Sequence, residues 1–482
     1  MSSFLRSNWI EMRIRSWRLG TRPSVTRIPF RYGTACLTEC PQAMLEITVE
    51  FSNAVVRGYA ADCFPPLWFD KSPERTFTQQ IEDMIEVIAQ SANNAVVAGE
   101  LNGVGELATL QWEDGGIDTR PPLLNNFGHS MVERAVIDAL CRNAKTSFRE
   151  FLCSGKLYNE FSVVLDAWGV LKTMRPWRQD HSNDRIAVRH TVGLSDPLTA
   201  GDGVALSSDE CVELPISLED HLRVNGIRYL KIKIGNRGKA DIERLQEIMK
   251  VVTSAGNAGM KFTLDGNEQY SSISEFTEFW EELKSLGELK QLTQNVLAIE
   301  QPLRRNIALN DSATLGLRRL SREVPVIIDE SDSGRDECWK AICVGYSGTS
   351  SKACKGVTKS LLNRQLIEEM QQANEDREYL MTGEDLCCVG VVPLQTDLAL
   401  SSVLGLSHVE RNGHHYHAGL SYLPEEMYGD ILVSHGDLYR NVNGVPALRI
   451  DHGMLNLTSV NEGGFGFRIN PRFDTYHSVR EG

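Results

Sequence analysis

From about Ile186 onward the chain repeats one unit: an apolar, β-rich run that ends in a charged side chain, then a segment with helical periodicity. Eight such runs can be read: IAVRHTVGL, RYLKIKIG, KFTLDGNE, VLAIEQPL, VPVIIDES, GTSSKACKG, EYLMTGEDL and a weaker one near HVERNGHHYH. The charged ends Lys233, Asp265, Glu300, Asp329 and Lys352 follow one another at intervals of 23 to 35 residues, near the roughly 30 residues of a βαβ unit. Between the second and third runs, Ile242, Leu245, Met249 and Val252 make one apolar helical face. Eight strands alternating with amphipathic helices predict an α/β fold, a (β/α)8 (TIM) barrel with its helices outside.

The chain has 482 residues, more than the roughly 250 of such a barrel, so a further domain is expected. Before the barrel, MLEITVEF and VVRGYAA alternate apolar and polar positions as strands do. Phe77, Ile81, Met84, Ile85 and Ile88 form a helical stripe, and Ser130 with Glu133 reads as a capping box ahead of Val136, Ile137 and Leu140. The glycine-containing stretch Val96–Asn126 reads as an irregular insertion. Residues 12–185 are therefore expected to be an α+β domain, preceded by an N-terminal extension at 1–11 that is rich in arginine.

Composition excludes several classes of function. Hydrophobic residues at 41% and charged residues at 24% fit a globular chain, and a net charge of −14 repels a phosphate backbone, so nucleic acid is not an expected partner. No apolar run approaches the roughly 20 residues that cross a bilayer, and the opening MSSFLRSNWIEM lacks a signal-peptide core, so no membrane association is expected. Eleven scattered cysteines suit a reducing, cytoplasmic setting and read as core residues rather than zinc ligands.

The chemistry concentrates at the strand ends. Lys231 and Lys233 are two apart on a strand and share a face, where their mutual repulsion is expected to lower both pKa values and prepare a general base. Asp265, Glu300 and Asp329 end the next three runs. Parallel strands of a barrel open on one face, so three carboxylates there would repel each other unless a hard divalent cation lay between them. Lys352, from the sixth run, stands almost diametrically across from the second strand. It is preferred over Lys355, whose parity differs.

These residues resemble the enolase superfamily, and within it the muconate lactonizing enzyme subgroup of the mandelate racemase-like proteins. The carriers are the K-x-K of Lys231 and Lys233, Asp265 with Asn267 in DGNE, Glu300 in IEQP, Asp329 in DES, and Lys352; Asn267, Glu330 and Arg31 are candidates for substrate contact. IPFRYG, MVERAVIDAL and the closing LRIDHGMLNL are similar to that superfamily's capping domain and its C-terminal return. The division implied is 1–11 extension, 12–185 cap, 186–425 barrel and 426–482 return onto the cap. The resemblance implies that Asp265, Glu300 and Asp329 bind Mg²⁺, with Mn²⁺ as a substitute, and that the metal holds a small carboxylate substrate. Lys233 and Lys352 would then face the α-carbon from opposite sides, with Lys231 stabilising the enediolate. Relatives of this kind form dimers or octamers, so a homo-oligomer is the implied state.

The sequence departs from the pattern after Lys352, where ACKGV carries a single glycine in place of a Gly-Gly pair. Glu384 and Asp385, after the seventh strand, are candidates for substrate contact or for holding a lysine, and equally for capping the next helix. Arg27, Phe30, Arg31 and Tyr32, with CFPPLWF, resemble the loops that close over such sites. His414, His415 and His417 lie in a GHHYH tract, but adjacent histidines point apart and no acidic partner is spaced for them, so no second metal site is expected. Two opposed lysines imply a racemase or epimerase. A cycloisomerase or an o-succinylbenzoate synthase-like lyase would use the same enediolate with one lysine as base, and a non-catalytic carboxylate-binding barrel is the alternative of another class.

Overall fold

The computed structural model describes residues 10–113, 120–155, 164–166, 168–171, 174–178, 180, 182–203 and 213–482. The first nine residues of the expected extension lie outside this set.

The N-terminal region is mostly strand. β1 (Met12–Arg22), β4 (Gln42–Phe51) and β5 (Val55–Cys63) form an antiparallel sheet, with β2 (Val25–Tyr32) and β3 (Ala35–Glu39) as a separate hairpin and the short β6 (Glu100–Leu101) pairing with β1. The alternation that marks these strands in the sequence puts Ile14, Trp17 and Leu19 of β1 and Leu45, Ile47 and Val49 of β4 in the core. Two helices pack against each other beside this sheet. Phe77–Val97 starts at Thr76, whose hydroxyl and Gln79 form a capping box, and it buries Met84 and Ile88 of the predicted stripe. Pro122–Ala144 is buried along almost its whole length.

Two local expectations are corrected. Ser130 and Glu133 do not start a helix: the helix begins at Pro122, and the Ser130 hydroxyl donates to the Phe127 carbonyl within it. The proline at the first turn supplies the start that the Ser-x-x-Glu pattern had suggested further on. The stretch read as irregular contains β6 and the helix Val104–Glu113. Gly99 and Gly103, both with positive φ, mark the turns on either side of β6.

The barrel consists of β7 (Arg185–Val192), β8 (Tyr229–Lys233), β9 (Lys261–Asp265), β10 (Val296–Glu300), β11 (Val326–Ile328), β12 (Gly348–Ser351), β13 (Leu380–Gly383) and β14 (His408–Arg411). All neighbours are parallel, and β14 pairs with β7 to close the ring. The helix Lys239–Ser254 packs outside, burying Ile242, Leu245, Met249 and Val252 as its periodicity predicts. The chain then makes the hairpin β15 (Tyr439–Val442) and β16 (Val445–Leu448), returns as β17 (Met454–Asn456) antiparallel to β7, and ends as β18 (His477–Glu481) antiparallel to β1. Among the described residues no helix is long and apolar enough to cross a membrane.

Candidate active site

Strand register sets the level of the charged residues. Lys233 lies beside Asp265, and Asp265 beside Glu300, at the C-terminal ends of β8, β9 and β10. Asp329 follows β11 directly, Lys352 follows β12, Glu384 follows β13 and Glu410 lies near the end of β14. Parallel closure turns these consecutive positions into a ring.

Lys231 is the hub of that ring. Its ammonium donates to Glu300 Oε1 at 2.9 Å, Glu384 Oε2 at 2.6 Å and Glu410 Oε2 at 3.0 Å, and it lies 3.0 Å from Asp265 Oδ2. Lys233 donates to Asp265 Oδ2 at 2.6 Å and Lys352 to Asp329 Oδ2 at 2.6 Å. Lys355 is fully buried one turn further on, donating to the Ser350 carbonyl at 2.7 Å and lying 3.2 Å from Asp329 Oδ1. Lys352, not Lys355, lines the cavity.

The charges do not titrate as the crowding of lysines predicted. Burial pulls Lys231 down, but Asp265, Glu300, Glu384 and Glu410 outweigh it and raise the pKa well above the ordinary lysine value. Lys352 is likewise raised, Asp329 overcoming burial. The sequence shows the two neighbouring lysines; it does not show how many carboxylates converge on them. Burial and then Asp265 and Glu384 push Glu300 well up. Burial alone would raise Asp329 too, but Lys352 and Lys355 hold it well below the usual carboxylate range.

The other expected residues divide. The Asn267 backbone N–H donates to Asp265 Oδ1 at 2.8 Å, and its side chain donates to Glu330 Oε1 at 3.2 Å. Glu384 joins Lys231 to Arg189 inside the barrel. Asp385 lines the cavity while accepting from the Cys388 and Asn412 backbone N–H groups. Arg31 is exposed and lies outside the site; Phe30 and Tyr32, its buried neighbours in β2, line the cavity instead.

The cavity has a charged floor and an apolar roof. Lys233, Lys352, Asn267, Asp385, Glu410 and Asn412 come from the barrel, and Phe30, Tyr32, Leu37, Pro65 and Trp68 from the N-terminal region. Lys352 Nζ lies 4.3 Å from the centre of the Trp68 ring, a cation–π contact. Glu410 was not anticipated: it accepts from Thr191 Oγ1 at 2.6 Å as well as from Lys231. Its signal in the sequence is the acid of HVER, which ends the weakest of the eight runs.

No protein-family profile and no curated protein matches the chain. Solved structures do. The chain is similar to a 2-chloromuconate cycloisomerase from Rhodococcus opacus 1CP (16% identity, TM-score 0.59, covering 96% of this chain and 99% of that one). It is also similar to a dipeptide epimerase from Enterococcus faecalis V583 complexed with Mg and L-Leu-L-Tyr (12%, 0.58, 94% and 99%). A third is an enolase from Bradyrhizobium complexed with magnesium and mandelic acid (14%, 0.59, 97% and 99%). The chain shares the fold of these structures, and that of an unknown member of the enolase superfamily from Enterococcus faecalis V583 (15%, 0.58, 98% and 99%).

A hard divalent cation fits the donors this fold brings together. Asp265, Glu300 and Asp329 offer only oxygen, the donor type that Mg²⁺ prefers. Glu300 Oε2 faces the Lys231 ammonium at 2.8 Å, whereas Glu330 Oε2, next to Asp329, is buried without a hydrogen-bond partner. A buried oxygen without a donor costs about 1–3 kcal/mol, which coordination would offset.

Proposed function

We propose that the chain is a magnesium-dependent enzyme that removes the proton α to the carboxylate of a small substrate, and that it works as a racemase or epimerase. The observation that carries this reading is that Lys233 and Lys352, from strands on opposite sides of the barrel, line one cavity beside Asp265 and Asp329.

Asp265, Glu300 and Asp329 are the residues that would hold Mg²⁺, with Mn²⁺ as a substitute. Bound there, the ion supplies positive charge against the substrate carboxylate and so stabilises an enediolate. The chain's own residues do the rest. Lys233 and Lys352 exchange the proton at the α-carbon from opposite faces, and Lys231 adds a fixed positive charge at the floor. Lys352 Nζ lies 2.6 Å from Asp329 Oδ2, a contact that favours the ammonium, the form that returns a proton; taking one requires Asp329 to loosen from it. Trp68 over Lys352, with Phe30 and Tyr32, excludes water from the place where the carbanionic charge develops. Asn267 and Glu330 hold the Asp265 and Asp329 loops in place.

The test is α-proton exchange in D₂O, followed by NMR, over N-acyl amino acids, dipeptides, muconates and sugar acids with and without Mg²⁺. The reading expects exchange at one substrate class that requires Mg²⁺ and is accompanied by loss of chirality. A new double bond in place of exchange would move the assignment to elimination. Exchange that persists without any divalent ion would contradict it.

A further inference from the structure

Outside the barrel wall, histidines from separate segments meet. His190 lies on β7 with the opposite parity to Arg189 and Thr191, which reach Glu384 and Glu410 inside, so its ring faces outward. His221 comes from the helical turn in the β7–β8 connection, and His415 from the turn Gly413–Tyr416 after β14. Each of the three places a ring nitrogen within 4.8 Å of the other two, and all three are buried. His221 Nε2 faces His415 Nδ1 at 3.0 Å. Tetrahedral ligands at about 2.0–2.1 Å from zinc lie about 3.4 Å apart, so the rings need only small shifts to share an ion.

Two of the three rings set their other nitrogen on a partner of the kind that orients a metal ligand. His221 Nδ1 lies 3.0 Å from the Asn225 side-chain amide, and His415 Nε2 lies 3.5 Å from Asp196 Oδ2. A ligating imidazole holds its other N–H on an amide oxygen or carboxylate, and the Asn225 amide can present its oxygen by a flip. Burial outweighs every neighbouring charge and keeps the three rings neutral, the form that ligates. Polar capacity is left over: Asp196 Oδ1 is buried with no hydrogen-bond partner.

We propose that His190, His221 and His415 form a transition-metal site of the kind that takes Zn²⁺, separate from the oxygen-lined cavity. Imidazole nitrogen selects zinc over magnesium, so the two sites would sort the two ions by donor type. His414 Nε2 lies 3.3 Å from His190 Nδ1, at the edge of this group. The ion would fasten β7, the β7–β8 connection and the β14 turn. The cap rests on that turn: Arg27 Nε donates to the His415 carbonyl at 2.8 Å, and Tyr416 stacks on Phe30 with ring centres 4.1 Å apart. His190 and His221 lie about two hundred residues from the GHHYH tract; His417 takes no part and meets Ser24 instead.

The test uses the full chain stripped with a chelator, incubated with equimolar Zn²⁺ in excess Mg²⁺, gel-filtered and analysed for metal. About one zinc per chain is expected in the wild type and in Asp265→Asn/Glu300→Gln, and none above background in His190→Ala/His415→Ala. If near-UV circular dichroism shows that double variant unfolded, His221→Gln is read in the same way, and the visible bands of the Co²⁺-loaded wild type must indicate nitrogen ligation. A wild type that retains no zinc, histidine variants that retain it undiminished, or a Co²⁺ spectrum of oxygen ligation would overturn the proposal.

Discussion

Glu133 shows how much one buried carboxylate can hold. It accepts from the Val357 and Thr358 backbone N–H groups at 2.7 Å each, at the start of the helix Val357–Ala373. Nearby, the Asn126 side chain donates to the Lys355 carbonyl at 2.8 Å. The N-terminal region thereby fixes the loop that carries Lys352. Glu133→Ala would leave two buried donors without acceptors, and we expect a loss of about 2 kcal/mol or more, measured as a lowered urea midpoint; an unchanged midpoint would refute this role. The sequence could not reveal it. Ser130 and Glu133 have the spacing of a capping box, and only the distant segment after β12 distinguishes a cap from a bracket between domains. The strand-end acids were legible because each closes its own apolar run, whereas the raised pKa of Lys231 depends on Asp265, Glu300, Glu384 and Glu410 converging on it from four strands.

At the scale of elements, the site depends on where β12 places Lys352. Gly348 opens this strand with φ +145°, and a Cβ there would fall 2.0 Å from the Leu380 carbonyl of β13. Gly348→Ala should therefore force β12 and β13 apart and cost about 3 kcal/mol or more, seen as a lower melting temperature and reduced yield of folded chain. A melting curve that superimposes on the wild type would show that the strands tolerate the shift. The order of eight βα units could be read directly from spacing, since barrel strands are short, apolar and regularly separated. The helix Val104–Glu113 could not, because its glycine-rich flanks suggest a loop. Glu410 was obscured for a related reason: β14 spans only four residues, too few to establish a period.

The whole molecule is a charged barrel floor closed by an apolar cover from another part of the chain. The C-terminal return binds the two together, with β17 on β7 and β18 on β1. Pairing of residues so far apart in sequence leaves no local signal, which is why the cover's Phe30 and Trp68 could be suspected from the sequence but the contact of Trp68 with Lys352 could not. The central claim is that this enclosure sets two lysines against opposite faces of one carbon. It is tested most directly by α-proton exchange in D₂O from each separate enantiomer of a substrate, comparing Lys233→Ala with Lys352→Ala. The account predicts that each variant loses exchange from one enantiomer by about 10²–10⁴-fold while retaining it from the other, and that the enantiomer lost differs between the two. Loss from the same enantiomer in both variants, or full exchange from both enantiomers in Lys352→Ala, would contradict it.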